Sequence, residues 1–367
     1  MTDRIILKTL LPMAVDGVGP SVTCVNLLQG MAACNVAGPT YINRSRVRVD
    51  LPSVYQSVPP GLSFLPYRWV RAVGSKLAER EFVKNLDEND VTYLWPSVSL
   101  RTHELVRRRG NAIFLEGINT RMAYSKIILD DAYSRLGLEP AHGITEARIK
   151  EEDEKLAIAD AIFAPSPAVE KSLLGSPMNP QGIIATSYGG NAKPRAGKTI
   201  SGNGSLTVLF VGYGCVRKGL PALLTAWEKA KISGRLIIAG AIEPVLRQRY
   251  QSILNRPDVS TPGFVKNVDA LYSQADVFVL PSLEEGDPLV TYEAAAHGIP
   301  LVVSPMGAGR MGAEENCTIS VDPHEADSIA AALDQLARSV ELQKDLGQRA
   351  LKAVANYRWA DVGARRA

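Results

Sequence analysis

Metal-binding and cross-linking residues are scarce in this chain. Its four cysteines, Cys24, Cys34, Cys215 and Cys317, lie far apart and form no C-x-x-C pair. Neither a disulfide framework nor a thiolate zinc site is implied, and a reducing, cytosolic setting is expected. The four histidines, His103, His142, His297 and His324, are equally scattered, which favours core or surface roles over a histidine cluster. Asp-x-Asp, the pattern that would bridge a divalent metal to a diphosphate, is absent. No run reaches the roughly 18 apolar residues of a membrane span. The apolar residues Ile5–Leu7 are flanked by Asp3, Arg4 and Lys8, so no secretory leader is expected.

A strong excess of one charge is also missing. With 41 Lys and Arg against 38 Asp and Glu, the net charge is only +3, which argues against a nucleic-acid binder. The charge is nevertheless unevenly spread. Arg44, Arg46, Arg48, Arg68, Arg71, Lys76, Arg80, Lys84, Arg101, Arg107, Arg108 and Arg109 crowd the first third. They read either as a solvated helix face or as a surface for anionic lipid or phosphate.

What is present is an ordinary globular balance, 46% hydrophobic and 22% charged, in 367 residues, a length that suits two domains. Ile5–Leu11 reads as a buried strand running into the turn Asp16–Pro20 and the apolar-periodic segment Val22–Ala33. Short apolar strands at Val91–Trp95, Ala112–Glu116 and Ala161–Ala164 alternate with helices at Ser99–Arg109 and Glu146–Ala159. The Lys-, Pro-, Gly- and Ser-rich stretch Ala192–Ser205 marks a boundary, after which the pattern restarts. Strands Leu206–Val211, Arg235–Ala239, Val277–Leu280 and Pro300–Ser304 follow, with helices Leu220–Ala230, Val290–His297, Ala326–Arg338 and Leu342–Tyr357. Alternation of this kind predicts an α/β chain of two Rossmann-like domains facing a cleft. Their expected bounds are 1–195 and 196–350, with 351–367 a C-terminal helix and tail packing back toward the first domain.

Ligands of open parallel sheets bind beyond the carboxyl ends of the strands. Two segments are so placed. Pro281-Ser282-Leu283-Glu284-Glu285-Gly286-Asp287-Pro288 leaves one strand and opens a helix whose N–H groups around Leu289, Val290 and Thr291 would attract a diphosphate. Glu285 before that helix and Glu293 a turn inside it can accept hydroxyls from opposite ends of one elongated ligand, sugar at one end and ribose at the other. Alternatively, Glu285 caps the helix and Glu293 is solvated. The second segment, Gly212-Tyr213-Gly214-Cys215-Val216-Arg217-Lys218-Gly219, offers a cationic pair able to stabilise a departing diphosphate without a metal.

Together these segments resemble the retaining glycosyltransferases of family 4. The resemblance rests on Gly212 with Lys218-Gly219, Gly263-Phe264-Val265, Pro281-Ser282, Glu285-Gly286 and Glu293-Ala294, followed by His297-Gly298-Ile299-Pro300. It implies the two-Rossmann-domain (GT-B) fold and retaining transfer from a nucleotide-sugar donor to a glycan or lipid-linked acceptor. It further implies that Arg217, Lys218 and Glu285 form the catalytic set and that no cofactor or metal is needed. Glu293 would hold the ribose, and Phe264 and Val265 would face the base. The cleft would lie between Gly17-Val18-Gly19 and Glu285–Glu293, with Glu116 where many members have a histidine. Two departures are Tyr213, where many members have Arg, and Asp287-Pro288, where many have Phe-Gly. A same-fold epimerase and a non-catalytic relative remain alternatives. A nicotinamide dehydrogenase does not fit, because neither Gly-x-Gly has its third glycine. The setting implied is cytoplasmic, at the inner face of a membrane if the basic first third seeks lipid.

Overall fold

The computed structural model describes residues 6–17, 19–62, 65–190, 204–230 and 232–367. The described strands form two sheets in which every pair is parallel. The first contains β1 (Leu7–Val15), β2 (Ala37–Ser45), β3 (Val54–Gln56), β4 (Val91–Leu94), β5 (Ala112–Glu116), β6 (Ala161–Ala164) and β7 (Ile183–Ala185), in the order β3-β2-β1-β4-β5-β6-β7. The second contains β8 (Ser205–Val211), β9 (Ser233–Ala239), β10 (Val259–Gly263), β11 (Val277–Leu280), β12 (Leu301–Val303) and β13 (Thr318–Ser320), in the order β10-β9-β8-β11-β12-β13. Both orders are doubly wound and reverse after the first strand. A crevice therefore forms at the carboxyl ends of β1 and β4 in one sheet and of β8 and β11 in the other.

Helices cover both faces of such sheets, so central strands are apolar along their length. Val277, Phe278, Val279 and Leu280 are all fully buried, as are Val208, Leu209 and Phe210 of β8. The elements not expected from sequence have weaker patterns. β2 carries Gly38 and Pro39 and turns Asn43 and Arg44 inward, where both are buried. The helix Tyr67–Lys84 is polar along most of its length and buries chiefly Gly74, Ala78 and Phe82. The expected boundary at Ala192–Ser205 falls mostly outside the described residues.

The chain ends in the helix Val340–Val354, a 3-10 turn at Ala355–Tyr357 and the helix Trp359–Arg366. This last helix returns to the first sheet, where Arg366 donates to Glu116 of β5 and to the Ser187 carbonyl just past β7. Among the described residues no helix is long and apolar enough to cross a membrane.

Candidate functional site between the two sheets

Two loops leave the switch point of the second sheet and are locked together. Gly219 sits at φ 69°, and a Cβ there would lie 1.9 Å from the Pro281 carbonyl oxygen. Only glycine allows this approach. The Leu283 amide donates to the Arg217 carbonyl at 2.8 Å. The β8 loop thereby delivers Arg217 and Lys218 directly onto the acidic residues of the β11 loop.

The resulting cluster is compact and mostly buried. Lys218 Nζ donates to Glu285 Oε1, which also accepts from Ser282 Oγ at 3.1 Å. Arg217 Nη1 lies 3.2 Å from Glu285 Oε2 and 3.4 Å from Glu284 Oε2, and donates to the Glu284 carbonyl at 3.0 Å. Burial opposes ionisation of Glu285, yet Lys218 and Arg217 prevail and bring its carboxyl down to about 2. Burial raises its neighbour Glu284 despite Arg217; its Oε1 accepts from the Thr120 amide at 3.1 Å and hydroxyl at 2.8 Å. Two adjacent carboxylates thus serve different ends, one neutralising cations and one joining the two sheets.

A consequence follows for acid stability. The Glu285 pKa falls from an ordinary 4.5 to about 2 on folding, so the group stabilises the protein above pH 4.5. That contribution is lost as pH falls from 4.5 toward 2. Glu285→Gln is expected to flatten the stability profile in this window, measured by denaturant unfolding at a series of pH values. An unchanged slope between the two proteins would contradict the ion cluster.

The same loop continues onto the first sheet. A Cβ at Gly286 would lie 2.0 Å from the Ile118 carbonyl oxygen, and Ser166 Oγ donates to the Gly286 carbonyl. Asp287 Oδ2 accepts from the Tyr188 amide at 2.6 Å and the Tyr292 hydroxyl at 2.7 Å, and its Oδ1 from the Arg310 amide at 2.9 Å. Burial raises this carboxyl to about 6. Asp287, expected beside a ligand, spends both oxygens inside the protein. Arg310 adds donations to the Thr186 and Ala164 carbonyls and to Glu170.

A cavity of about 970 Å³ opens between the sheets. The first sheet supplies Trp95–Ser99 after β4, Glu116 at the end of β5 and Gly117–Met122 beyond it; the second supplies Tyr213, Cys215, Arg217, Glu243 and Glu284. Gly17, Gly19, Glu285 and Glu293, expected along the cleft, do not line this cavity; the β11 loop meets it through Glu284, and Gly286 packs against the Ile118 carbonyl. Val18 lies outside the described residues, and Gly17 and Gly19 are exposed beyond β1. Glu116 does reach the wall, but its Oε2 is held by Tyr93 and Arg366. Glu293 accepts from Tyr272 at 2.8 Å, Val265 is half-buried, and Phe264 is 77% exposed. Leu289 and Val290 are half-buried at the start of their helix, while Thr291 Oγ1 is spent on the Gly307 carbonyl at 2.7 Å.

Several wall residues carry no sequence motif. The Trp95 indole nitrogen is buried without a hydrogen-bond partner among the described residues. Tyr133 donates to Glu243 across the cavity at 2.8 Å. Burial lifts Glu152 to about 7 and pushes His103 down to about 4. His103 and His142 both line the cavity, though they are far apart in sequence.

Residues 205–339 match the family model of glycosyl transferases group 1. An uncharacterized glycosyltransferase of Methanocaldococcus jannaschii is 33% identical over 164 residues, 42% of this chain and 42% of its own length. The chain thus spans less than half the length of this curated relative. Anabaena HepE, solved in complex with UDP and glucose, superposes with a TM-score of 0.67 at 12% identity, covering 99% of this chain and 98% of that one. Sucrose-phosphate synthase from Thermosynechococcus elongatus superposes with a TM-score of 0.69 at 18% identity, covering 99% and 97%. Likeness in sequence is therefore to group 1 glycosyltransferases over residues 205–339, and likeness in fold, to the two-Rossmann-domain GT-B architecture, extends over the whole chain.

Proposed function

We propose that this chain transfers a glycosyl group from a nucleoside-diphosphate sugar to an acceptor, with retention of configuration and without a divalent metal. The observation that carries the reading is the Arg217–Lys218–Glu285 cluster, set where the second sheet reverses its strand order and where the helix Leu289–Ala296 begins. In the resting protein the two cations are neutralised by carboxylates. An incoming diphosphate replaces those partners and meets the helix N-terminus, whose dipole favours negative charge.

As the sugar–phosphate bond breaks, the leaving diphosphate gains charge, and Lys218 with Arg217 meets it. Glu285, released from Lys218, turns to the sugar hydroxyls; Glu293, oriented by Tyr272, grips the ribose; Phe264 offers its exposed ring to the base. The acceptor enters the cavity from the Trp95 and Thr120 side, and a diphosphate oxygen takes its proton as it attacks from the face the leaving group vacates. The UDP and glucose found with Anabaena HepE support a uridine donor class, and the related D-inositol 3-phosphate glycosyltransferase of Paenarthrobacter aurescens, 31% identical over 113 residues, supports a hydroxylated acceptor.

A thermal-shift screen over nucleoside diphosphates and their sugars identifies the donor, because a ligand bound only by the native state raises the melting temperature. With that donor, turnover is expected to persist in excess chelator, and NMR of the first product is expected to show the donor's anomeric configuration. Activity abolished by chelator and restored by magnesium or manganese would overturn the metal-free mechanism.

A further inference from the structure

The helix Tyr67–Lys84 packs Gly74, Ala78 and Phe82 inward. At 100° per residue, the side opposite that buried row carries Trp69, Val73, Lys76, Leu77 and Arg80, with Lys84 at its end. Three large apolar side chains stand free on this side: Trp69 is 64% exposed, Val73 62% and Leu77 39%. They recur every fourth residue and so form one row. Beside it runs a second row, Arg68, Ala72, Lys76, Arg80 and Lys84, all exposed. The Arg68 guanidinium lies 5.9 Å from the centroid of the Trp69 ring.

None of these cations is paired with a carboxylate among the described residues. The helix's own acids are turned away. Glu79 is bound to Ser99 and Thr102, and Glu81 flanks the buried side. The surface continues toward the cleft, since the Tyr67 hydroxyl accepts from the Ala14 amide at 3.1 Å near the carboxyl end of β1. Exposed Arg46, Val47 and Arg48 stand at that same edge, and a Cβ on Gly17 would lie 3.5 Å from Val47.

We propose that this face docks on a lipid bilayer rich in anionic headgroups. An apolar row gains by leaving water for the acyl boundary, and tryptophan prefers that interface. The flanking Lys and Arg reach the headgroups along their aliphatic stems. Charge complementarity selects this occupant: unpaired cations beside an apolar row match anionic lipid. Docked so, the rim of the cleft faces the membrane. For the glycosyl-transfer reading, on which docking itself does not depend, this delivers a lipid-linked acceptor directly.

The test uses the full chain with vesicles of phosphatidylcholine alone or mixed with phosphatidylglycerol. Trp95, Trp227 and Trp359 are each at most 7% exposed, so Trp69 dominates the solvent-sensitive emission. The expected result is sedimentation with mixed vesicles only, with a blue shift of that emission and relief at high salt. Lys76→Ala/Arg80→Ala weakens partition roughly tenfold or more, and Trp69→Ser abolishes the blue shift. The melting temperature stays near the parent's, because both sites are solvent-exposed. Absence of binding to mixed vesicles, or binding that the double variant leaves unchanged, would overturn the proposal. So would capture on an acidic peptide resin in preference to vesicles, which assigns the face to a protein partner. Failure of glycosyl transfer with intact vesicle binding would instead count against the catalytic reading alone.

Discussion

Lys218→Ala lowers kcat by roughly 10²-fold or more while leaving the protein folded. Lys218 Nζ is anchored on Glu285 Oε1 in a position 12% exposed at the side chain, and it belongs to the loop that β8 and Gly219 hold against β11. In the proposed donor complex the diphosphate has already replaced Glu285 as the partner of Lys218, so the ammonium is in place when the leaving group becomes more negative. An interaction stronger in the transition state than in the ground state appears in kcat. Glu293 provides the contrast. In its proposed role Glu293 would grip the ribose equally before and during bond cleavage, so Glu293→Ala is expected to raise the donor KM and change kcat little. Steady-state kinetics on both variants separate the roles. An intact kcat in Lys218→Ala together with a lost kcat in Glu293→Ala would sink the assignment even if the chain transfers sugar.

Arg217 complicates the charge count in a useful way. It contacts both Glu284 and Glu285 and lines the cavity, whereas Lys218 does not. Tyr213, also on the cavity wall, is 49% exposed, so the β8 loop presents one cation and one phenol to the open space. In the proposed donor site, the phosphate contact that Tyr213 does not provide would come from Arg217, four residues later in the same turn.

The central strands were legible because they are buried on both faces. Ala112–Glu116, Ala161–Ala164 and Val277–Leu280 are short apolar runs whose bounds coincide with β5, β6 and β11. β2 escaped because its inward Asn43 and Arg44 donate to tertiary acceptors, the Arg71 and Leu65 carbonyls, that no local pattern announces. The same limit applies at the site. Arg217, Lys218 and Glu285 stood out through loop position and motif, and the structure brings them together. Glu284 did not stand out, although it reaches Thr120 across 164 residues of sequence. Which of two consecutive acids turns toward which sheet is decided by the docking of Gly286 on Ile118, and that is a contact between distant segments. The inward placement of Asp287 follows from the same docking.

Arg366→Met is expected to destabilise the protein by about 3–5 kcal/mol. The Arg366 side chain is 1% exposed and that of Glu116 0%, with 2.6 Å between Nη1 and Oε2. The guanidinium is further committed to Thr186 Oγ1 at 2.9 Å and the Ser187 carbonyl at 3.0 Å, and lies 5.0 Å from the Phe163 ring centroid. Methionine fills similar volume but leaves the Glu116 carboxylate buried without its cation, and the penalty is mainly that of the stranded charge. Removing both charges, in Glu116→Gln/Arg366→Met, therefore restores most of the loss. Since Glu116 belongs to β5 and Arg366 to the last helix, the single variant also loosens the strap that returns the chain's end to the first sheet. Denaturant midpoints at constant m-value measure the energies, and amide exchange across Trp359–Arg366 measures the strap. A loss below about 1 kcal/mol in the single variant would show that the pair is worth no more than an exposed salt bridge. A double variant as unstable as the single one would show that the Arg366 contacts to Thr186 and Ser187, rather than the stranded carboxylate, carry the effect.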